Sequence, residues 1–197
     1  MPPANGADRR EQIIAAALEL FQENGFATVS TRDLAEHAGL SRSHVYHYFP
    51  DWKTLRREAF ERFMAAQIAE TESIHAGLAA PKALKSFFRY YLPKENDHDW
   101  AMWMGAWVES LREPELAASF HQGTGHWEGM LEKIIRQGID GGEWTCAHPA
   151  RAARQLLALL NGYSDNMLLR ADATASAQPL QEIMEVARLL LPPTRKD

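Results

Sequence analysis

Cysteine is almost absent from this chain. One residue in 197, Cys146, leaves no intrachain disulfide and no thiolate metal cluster. Positive charge is not in excess either: 21 lysines and arginines face 26 aspartates and glutamates, for a formal net charge of −5. That excludes a histone-like, wholly cationic nucleic-acid binder and leaves room for a local basic surface only. No run approaches the roughly 20 apolar residues that cross a bilayer. The opening Met1-Pro2-Pro3-Ala4-Asn5-Gly6 lacks the apolar core of a signal peptide. No glycine-rich phosphate loop, nucleophile elbow or paired catalytic signature occurs, so no enzyme activity and no cofactor are expected. His98, His121, His126 and His148 form no H-x-x-x-H pair, so no metal site is expected. Together these absences point to a protein of a reducing cytoplasm with no membrane partner.

What is present is an ordinary globular balance, 46% apolar and 24% charged. Prolines at 50, 81, 93, 114, 149, 179 and 192 divide the chain into slots, since proline is tolerated in a helix's first turn and disfavoured inside. Within the slots apolar residues recur three or four apart, with almost no period-2 alternation, which predicts an all-α fold. Helices are expected at about 8–24, at two short segments before Pro50, and at 52–76, 81–92, 97–112, 115–140, 149–171 and 178–191. A small N-terminal domain (1–55) and a larger helical domain (56–197) are expected, joined through the fourth helix.

The N-terminal part carries the sharpest pattern. Gly25 follows the first apolar face as a helix-ending residue. Ser30-Thr31-Arg32-Asp33 has capping-box spacing. Two short helices are then joined by Ala38-Gly39-Leu40-Ser41, the outline of a helix-turn-helix. On the second of them, Val45 and Phe49 face inward with Tyr48 near them, while Ser43, His44, Tyr46 and His47 point away. So polar an outward face on so short a helix is not explained by core packing. Its side chains suit base edges and phosphates in a DNA groove. Arg42, Lys53, Arg56 and Arg57, opposed in that interval by Asp51 alone, read as a local positive patch.

Phe21-x-x-x-Gly25-Phe26-x-x-x-Ser30-Thr31-Arg32-Asp33-Leu34-Ala35-x-x-Ala38-Gly39-Leu40-Ser41-x-x-x-Val45-Tyr46-x-Tyr48-Phe49 closely resembles the TetR family of transcriptional regulators. The resemblance spans about residues 9–60 and implies an N-terminal helix-turn-helix domain followed by a helical domain that dimerises and binds an effector. It implies a double-stranded DNA operator as partner, contacted through Thr31, Arg42, Ser43, His44, Tyr46, His47, Tyr48 and Lys53. Two positions depart from the family: Tyr48 stands where histidine is usual, and Trp52 where lysine is usual, with Lys53 one place later. The second half resembles the choline-responsive repressors of betaine synthesis in Trp103-x-x-x-Trp107-x-Glu109-x-Leu111-Arg112-x-Pro114-x-Leu116, Gly138, Gly141-Gly142-Glu143 and Leu159-Leu160-Asn161-Gly162.

Trp100, Trp103 and Trp107 share a helix face and read first as core filling, second as an aromatic cage for a cation. Asn161 and Asp165 share a face of the eighth helix and read either as ligand-facing or as ties to a neighbouring helix or a dimer mate. Trp103, Trp107, Asn161 and Asp165 are therefore the candidate ligand-binding residues, for a small apolar or cationic effector. Gly162 suggests close approach of another helix, and Gly123, Gly125 and Gly129 suggest either close packing or a deformable segment. A homodimer through the eighth and ninth helices is expected, with Leu160 and Leu189 in the interface. The composite expectation is a ligand-responsive regulator, usually a repressor, that binds a palindromic operator as a dimer. The alternative is a helical small-molecule-binding or scaffold protein whose helix-turn-helix docks protein.

Overall fold

The computed structural model describes residues 6–94, 98–169 and 177–194, and among these the regular secondary structure is helical, apart from one isolated bridge pairing Trp144 with Pro193. Nine helices are described: α1 (Gly6–Asn24), α2 (Thr31–His37), α3 (Arg42–Tyr48), α4 (Trp52–His75), α5 (Ala80–Tyr91), α6 (His98–Ser110), α7 (Pro114–Asp140), α8 (Pro149–Leu169) and α9 (Ala177–Leu190). The expected all-α fold and its helix count hold. Residue 97, expected to open the sixth helix, and residues 170–171, expected to close the eighth, lie outside the described residues.

Local chemistry accounts for the boundaries. Gly25, Gly39, Gly77 and Gly142 all take positive φ, a conformation that costs glycine little, and each lies just beyond a helix end. Ser30 and Asp33 form the expected reciprocal capping box: the Ser30 amide donates to Asp33 Oδ2 at 2.8 Å and the Asp33 amide to Ser30 Oγ at 3.4 Å. Pro81, Pro114 and Pro149 fall in first helical turns, where the missing amide hydrogen has no helical partner to lose.

The chain forms two compact units. Residues 1–66 with 98–123 make the first, and 67–97 with 124–197 the second, so α4 and α7 each contribute to both. The first unit thus takes in α6 and the start of α7, which the sequence placed with the larger domain. Its core collects Ile13, Ala17 and Phe21 of α1, Leu34 and Ala35 of α2, Val45 of α3, Phe49, and Leu55 and Phe60 of α4. Met102 and Ala106 of α6 and Leu116 of α7 belong to the same cluster. Burying each of the larger of these side chains contributes roughly 1.5–3 kcal/mol, and each alanine less. Two glycines lie in close packing here. A Cβ at Gly105 would lie 2.7 Å from Phe26 Cβ, and one at Gly123 would collide with Met64 and press on Trp103.

In the second unit α8 and α5 both pack on α9, over a core that includes Phe87, Phe88, Trp127, Leu131, Leu156, Leu160 and Ile183. The Trp144 indole fills the space where a Gly138 side chain would stand and donates its N–H to the Ile135 carbonyl at 3.0 Å. Two sequence expectations need correction. Leu160 is wholly buried in its own protomer, whereas Leu189 is 81% exposed, so only the second is placed to meet another chain. Gly162 has nothing within 4 Å of its Cβ position, so no helix among the described residues closes on it, and the same is true of Gly125 and Gly129.

Candidate nucleic-acid interface and effector region

The inward anchors of α3 and three of its four outward residues follow the sequence pattern, whereas His44, expected to point outward, is half-buried. Val45 and Phe49 are buried, and Arg42, Ser43, Tyr46 and His47 are exposed. The helix begins at Ser41, whose Oγ accepts the His44 amide at 3.2 Å and lies 2.9 Å from Ser43 Oγ. The Tyr46 hydroxyl is 3.0 Å from Thr31 Oγ1, which ties the first turn of α2 to the exposed face of α3. Thr31 itself is nearly buried, so its hydroxyl orients Tyr46.

The two histidines of α3 differ. The ring of His44 lies 5.5 Å from that of Tyr48 one turn on, it is half-buried, and its Nε2 is sealed from solvent without a hydrogen-bond partner. The exposed His47 meets Tyr48 edge-on at 5.1 Å. Tyr48, half-buried between them, supports both rings. Lys53 is exposed at the start of α4. Beside it, Asp51 Oδ1 accepts the Thr54 amide at 2.7 Å, and this hydrogen bond holds the Asp51 carboxyl below its usual range.

The expected positive patch is smaller than the sequence suggests. Arg56 is 6% exposed and its Nη2 donates to Glu109 at 2.9 Å and to Glu113 at 2.5 Å. Arg57 pairs with Glu61 at 2.9 Å and with Glu115 at 3.6 Å. Their partners come from α4, α6, α7 and the turn before α7, which a reading of residues 42–57 leaves out. Arg42 and Lys53 remain as the exposed cations of this face.

The candidate ligand residues divide between the two units. Trp103 belongs to the first, where its ring lies 5.1 Å from Phe60, 5.5 Å from Phe120 and 6.1 Å from Phe63. Trp107 is in the same unit and is 45% exposed on α6. Asn161 and Asp165 belong to the second, on α8. Asn161 Oδ1 accepts the Tyr91 hydroxyl at 2.7 Å, so this amide ties α8 to α5. Asp165 is exposed. Burial first, and the Asp165 charge second, push the Tyr91 phenol far above its ordinary 10.

Tyr91 sits in an aromatic cluster that the sequence reading passed over. Its ring is edge-on to Trp127 at 5.4 Å and stacked on Phe87 at 6.0 Å, and Phe87 also meets Trp127 at 6.0 Å. His75, at the end of α4, packs on Phe87 at 5.8 Å; its Nδ1 is 2.6 Å from the Thr71 carbonyl oxygen, and its Nε2 is buried without a partner. Ser164 Oγ, on α8, is likewise buried and unpartnered. Aromatic rings beside unsatisfied polar atoms are the composition of small-molecule sites. The available signal was Tyr90-Tyr91 with Trp127, but periodic aromatics in a helical chain read equally well as core. Among the described residues no group of histidine, cysteine and carboxylate side chains could hold a metal ion, and no helix is long and apolar enough to cross a membrane.

A short buried-anchor helix with an exposed polar face, seated behind a capped partner helix, defines a helix-turn-helix DNA-binding regulator. Comparison with known proteins agrees. Residues 13–59 match the family described as bacterial regulatory proteins, tetR family, and residues 80–191 match the BetI-type transcriptional repressor, C-terminal family. The chain belongs to the TetR family, with a C-terminal region of the BetI type, and is a ligand-responsive DNA-binding transcriptional regulator. It is similar to the HTH-type transcriptional repressor AcnR of Corynebacterium efficiens, 27% identical over 182 residues that cover 90% of this chain and 89% of the relative. It is also similar to the HTH-type transcriptional regulator BetI of Stenotrophomonas maltophilia, 30% identical over 122 residues, 58% of this chain and 62% of that one. Among solved structures, a TetR transcription regulator from Haloarcula marismortui superposes with a TM-score of 0.83 at 20% identity, over 94% of this chain and 99% of that one. A transcriptional regulator from Saccharomonospora viridis in complex with choline superposes with a TM-score of 0.81 at 20% identity, over 94% and 98%. At that identity these structures speak to the fold alone.

Proposed function

We propose that this chain is a cytoplasmic, non-catalytic repressor that binds a roughly palindromic operator as a homodimer and releases it when a small effector binds. The exposed polar face of α3, backed by buried Val45 and Phe49, carries this reading. Arg42, Ser43, Tyr46 and His47 enter a major groove, Tyr48 supports the two histidine rings, Thr31 sets Tyr46, and Lys53 meets phosphate. Selection of genomic fragments by the purified protein tests it. The expected result is enrichment of a two-fold symmetric sequence, bound with a steep salt dependence from counterion release. Recovery of proteins in place of any enriched DNA would favour the protein-docking alternative and refute this one.

The effector is a small cation held in the second unit, by Tyr91 and Trp127 with Asn161 and Asp165. Aromatic faces attract a cation, and a nearby carboxylate favours positive charge and penalises an anion. The similarity to BetI-type regulators supports this chemical class. Trp103 packs the core of its own unit, and Trp107 is left as the accessible member of the original stripe. Tryptophan fluorescence titration with choline, a flat aromatic cation and a fatty acid is the discriminating measurement. Asp165→Asn is expected to weaken the cation by more than tenfold. A response to the fatty acid alone, unmoved by Asp165→Asn, would overturn the cationic site and leave the regulator reading intact.

A further inference from the structure

Arg56 is the one arginine, lysine, aspartate or glutamate buried among the described residues, at 6% exposed. Its Nη2 bridges Glu109 of α6, at 2.9 Å, and Glu113, the residue before α7, at 2.5 Å. Both carboxylates are themselves mostly covered, at 19% and 13% exposed. The guanidinium carbon stands 5.3 Å from the centre of the Phe26 ring, in the turn between α1 and α2. A second layer lies beside it: Arg57 holds Glu61 and Glu115, and Ser119 Oγ donates to Glu61 at 2.6 Å. Gly105 lets the backbone of α6 close on Phe26 itself.

A buried ion pair gains little stability over an apolar contact of the same shape. What a planar guanidinium adds is register, because its N–H groups donate to carboxylates in fixed directions, here from Nη2 to Glu109 and Glu113 together. The register fixed here is that of the first turns of α4. Those turns carry Leu55 and Phe60 into the core that also seats Val45 and Phe49 beneath the DNA-facing helix.

We propose that Arg56 is a positioning residue for operator binding: through Glu109 and Glu113 it locks the start of α4 to the α6–α7 junction, so that residues 98–123 complete the DNA-reading body. The operator is then sensed through side chains more than fifty positions along the chain from the helix that touches it.

The test uses the full chain and the DNA fragment that the parent protein enriches, with affinity measured over a salt series. Charge alone predicts that Glu109→Gln with Glu113→Gln, which removes two negative charges, tightens DNA binding. The clamp predicts the opposite: at least a tenfold loss, with the salt slope unchanged. Arg56→Gln should show the same pair of results. Arg56→Lys should recover part of the affinity, since an ammonium keeps the charge and loses the fork. Lys53→Ala is the reference for a phosphate contact, lowering the slope by about one. Amide exchange supplies a second readout, with faster exchange expected in α2 and α3 of the glutamine variants and none of the change in α8 and α9. If the double variant does not fold, Glu109→Gln alone, which leaves Glu113 on the arginine, is read in the same way for a smaller loss of the same sign. Parent-like or tighter binding by the folded glutamine variants, or a slope lowered by about one in Arg56→Gln, would overturn the proposal.

Discussion

His44 and His47 lie one turn apart along the same short helix, yet their environments assign them different work. The exposed ring of His47 is free to reach a base edge, whereas His44 leans on Tyr48 with its Nε2 out of solvent. His47→Ala is expected to relax operator choice at one base position by about 1–3 kcal/mol. Lys53→Ala is expected to weaken all sequences alike. Binding to a panel of single-base operator variants separates the two, and a His47→Ala variant that discriminates as the parent does would refute the groove assignment. Tyr91 offers a second test. Its phenol is raised above the ordinary 10, so the unfolded chain releases that proton first. The associated stability is intact below about pH 10 and is lost as pH climbs toward the folded value. Tyr91→Phe removes the ionisable group together with the Asn161 hydrogen bond. Thermal unfolding should therefore show a lower melting temperature near neutrality and a flatter alkaline limb above pH 10 than in the parent.

The helices of the DNA-reading pair are short, and seven residues give α2 little hydrogen bonding of its own. Its capping box therefore matters more than it would in a long helix. Ser30→Ala is expected to cost about 1 kcal/mol of stability. The hydrogen bonds from Ser30 hold the Asp33 carboxyl below its ordinary 3.8. Its contribution is thus present above about pH 3.8 and disappears as pH falls through the lowered folded value. Asp33→Asn should flatten that acid limb in a plot of melting temperature against pH. An acid limb of equal steepness in parent and variant would show that the box contributes nothing. The glycines of α7 separate in the same spirit. Gly123 lies against Met64 and Trp103, whose side chains would have to shift for a Cβ, while Gly125 and Gly129 face open space in the protomer, and nothing in the structure explains them.

A chain of net charge −5 can still meet a polyanion because exposed cations stand beside α3, at Arg42 and Lys53, while Arg56 and Arg57 are paired with carboxylates. Dimerisation is the larger question. Val186 and Leu189 are exposed on α9, and Gly162 leaves room on α8, a surface suited to a second copy. Leu189→Arg should leave the protomer folded, because that side chain is 81% exposed, and should shift sedimentation toward monomers. Leu160→Arg would instead damage the core. A parent protein that sediments as a stable monomer at micromolar concentration would refute the pairing.

Features encoded within a few residues were legible without coordinates. Prolines in first turns, the Ser30–Asp33 spacing, positive-φ glycines and the inward pair Val45 and Phe49 each depend on neighbours three or four positions away. They fixed nine helices, the helix-turn-helix and its outward face. Partners far along the chain were not legible. Arg56 finds its carboxylates 53 and 57 positions away, and Tyr91 finds Asn161 at 70. Periodicity states which residues share a face of one helix, but not which face of another helix meets it. For that reason Arg56 read as part of a positive patch and Leu160 as an interface residue. Only the packing of α4 with α6 and α7, and of α5 with α8, decided otherwise, because burial and pairing are properties of two surfaces brought together.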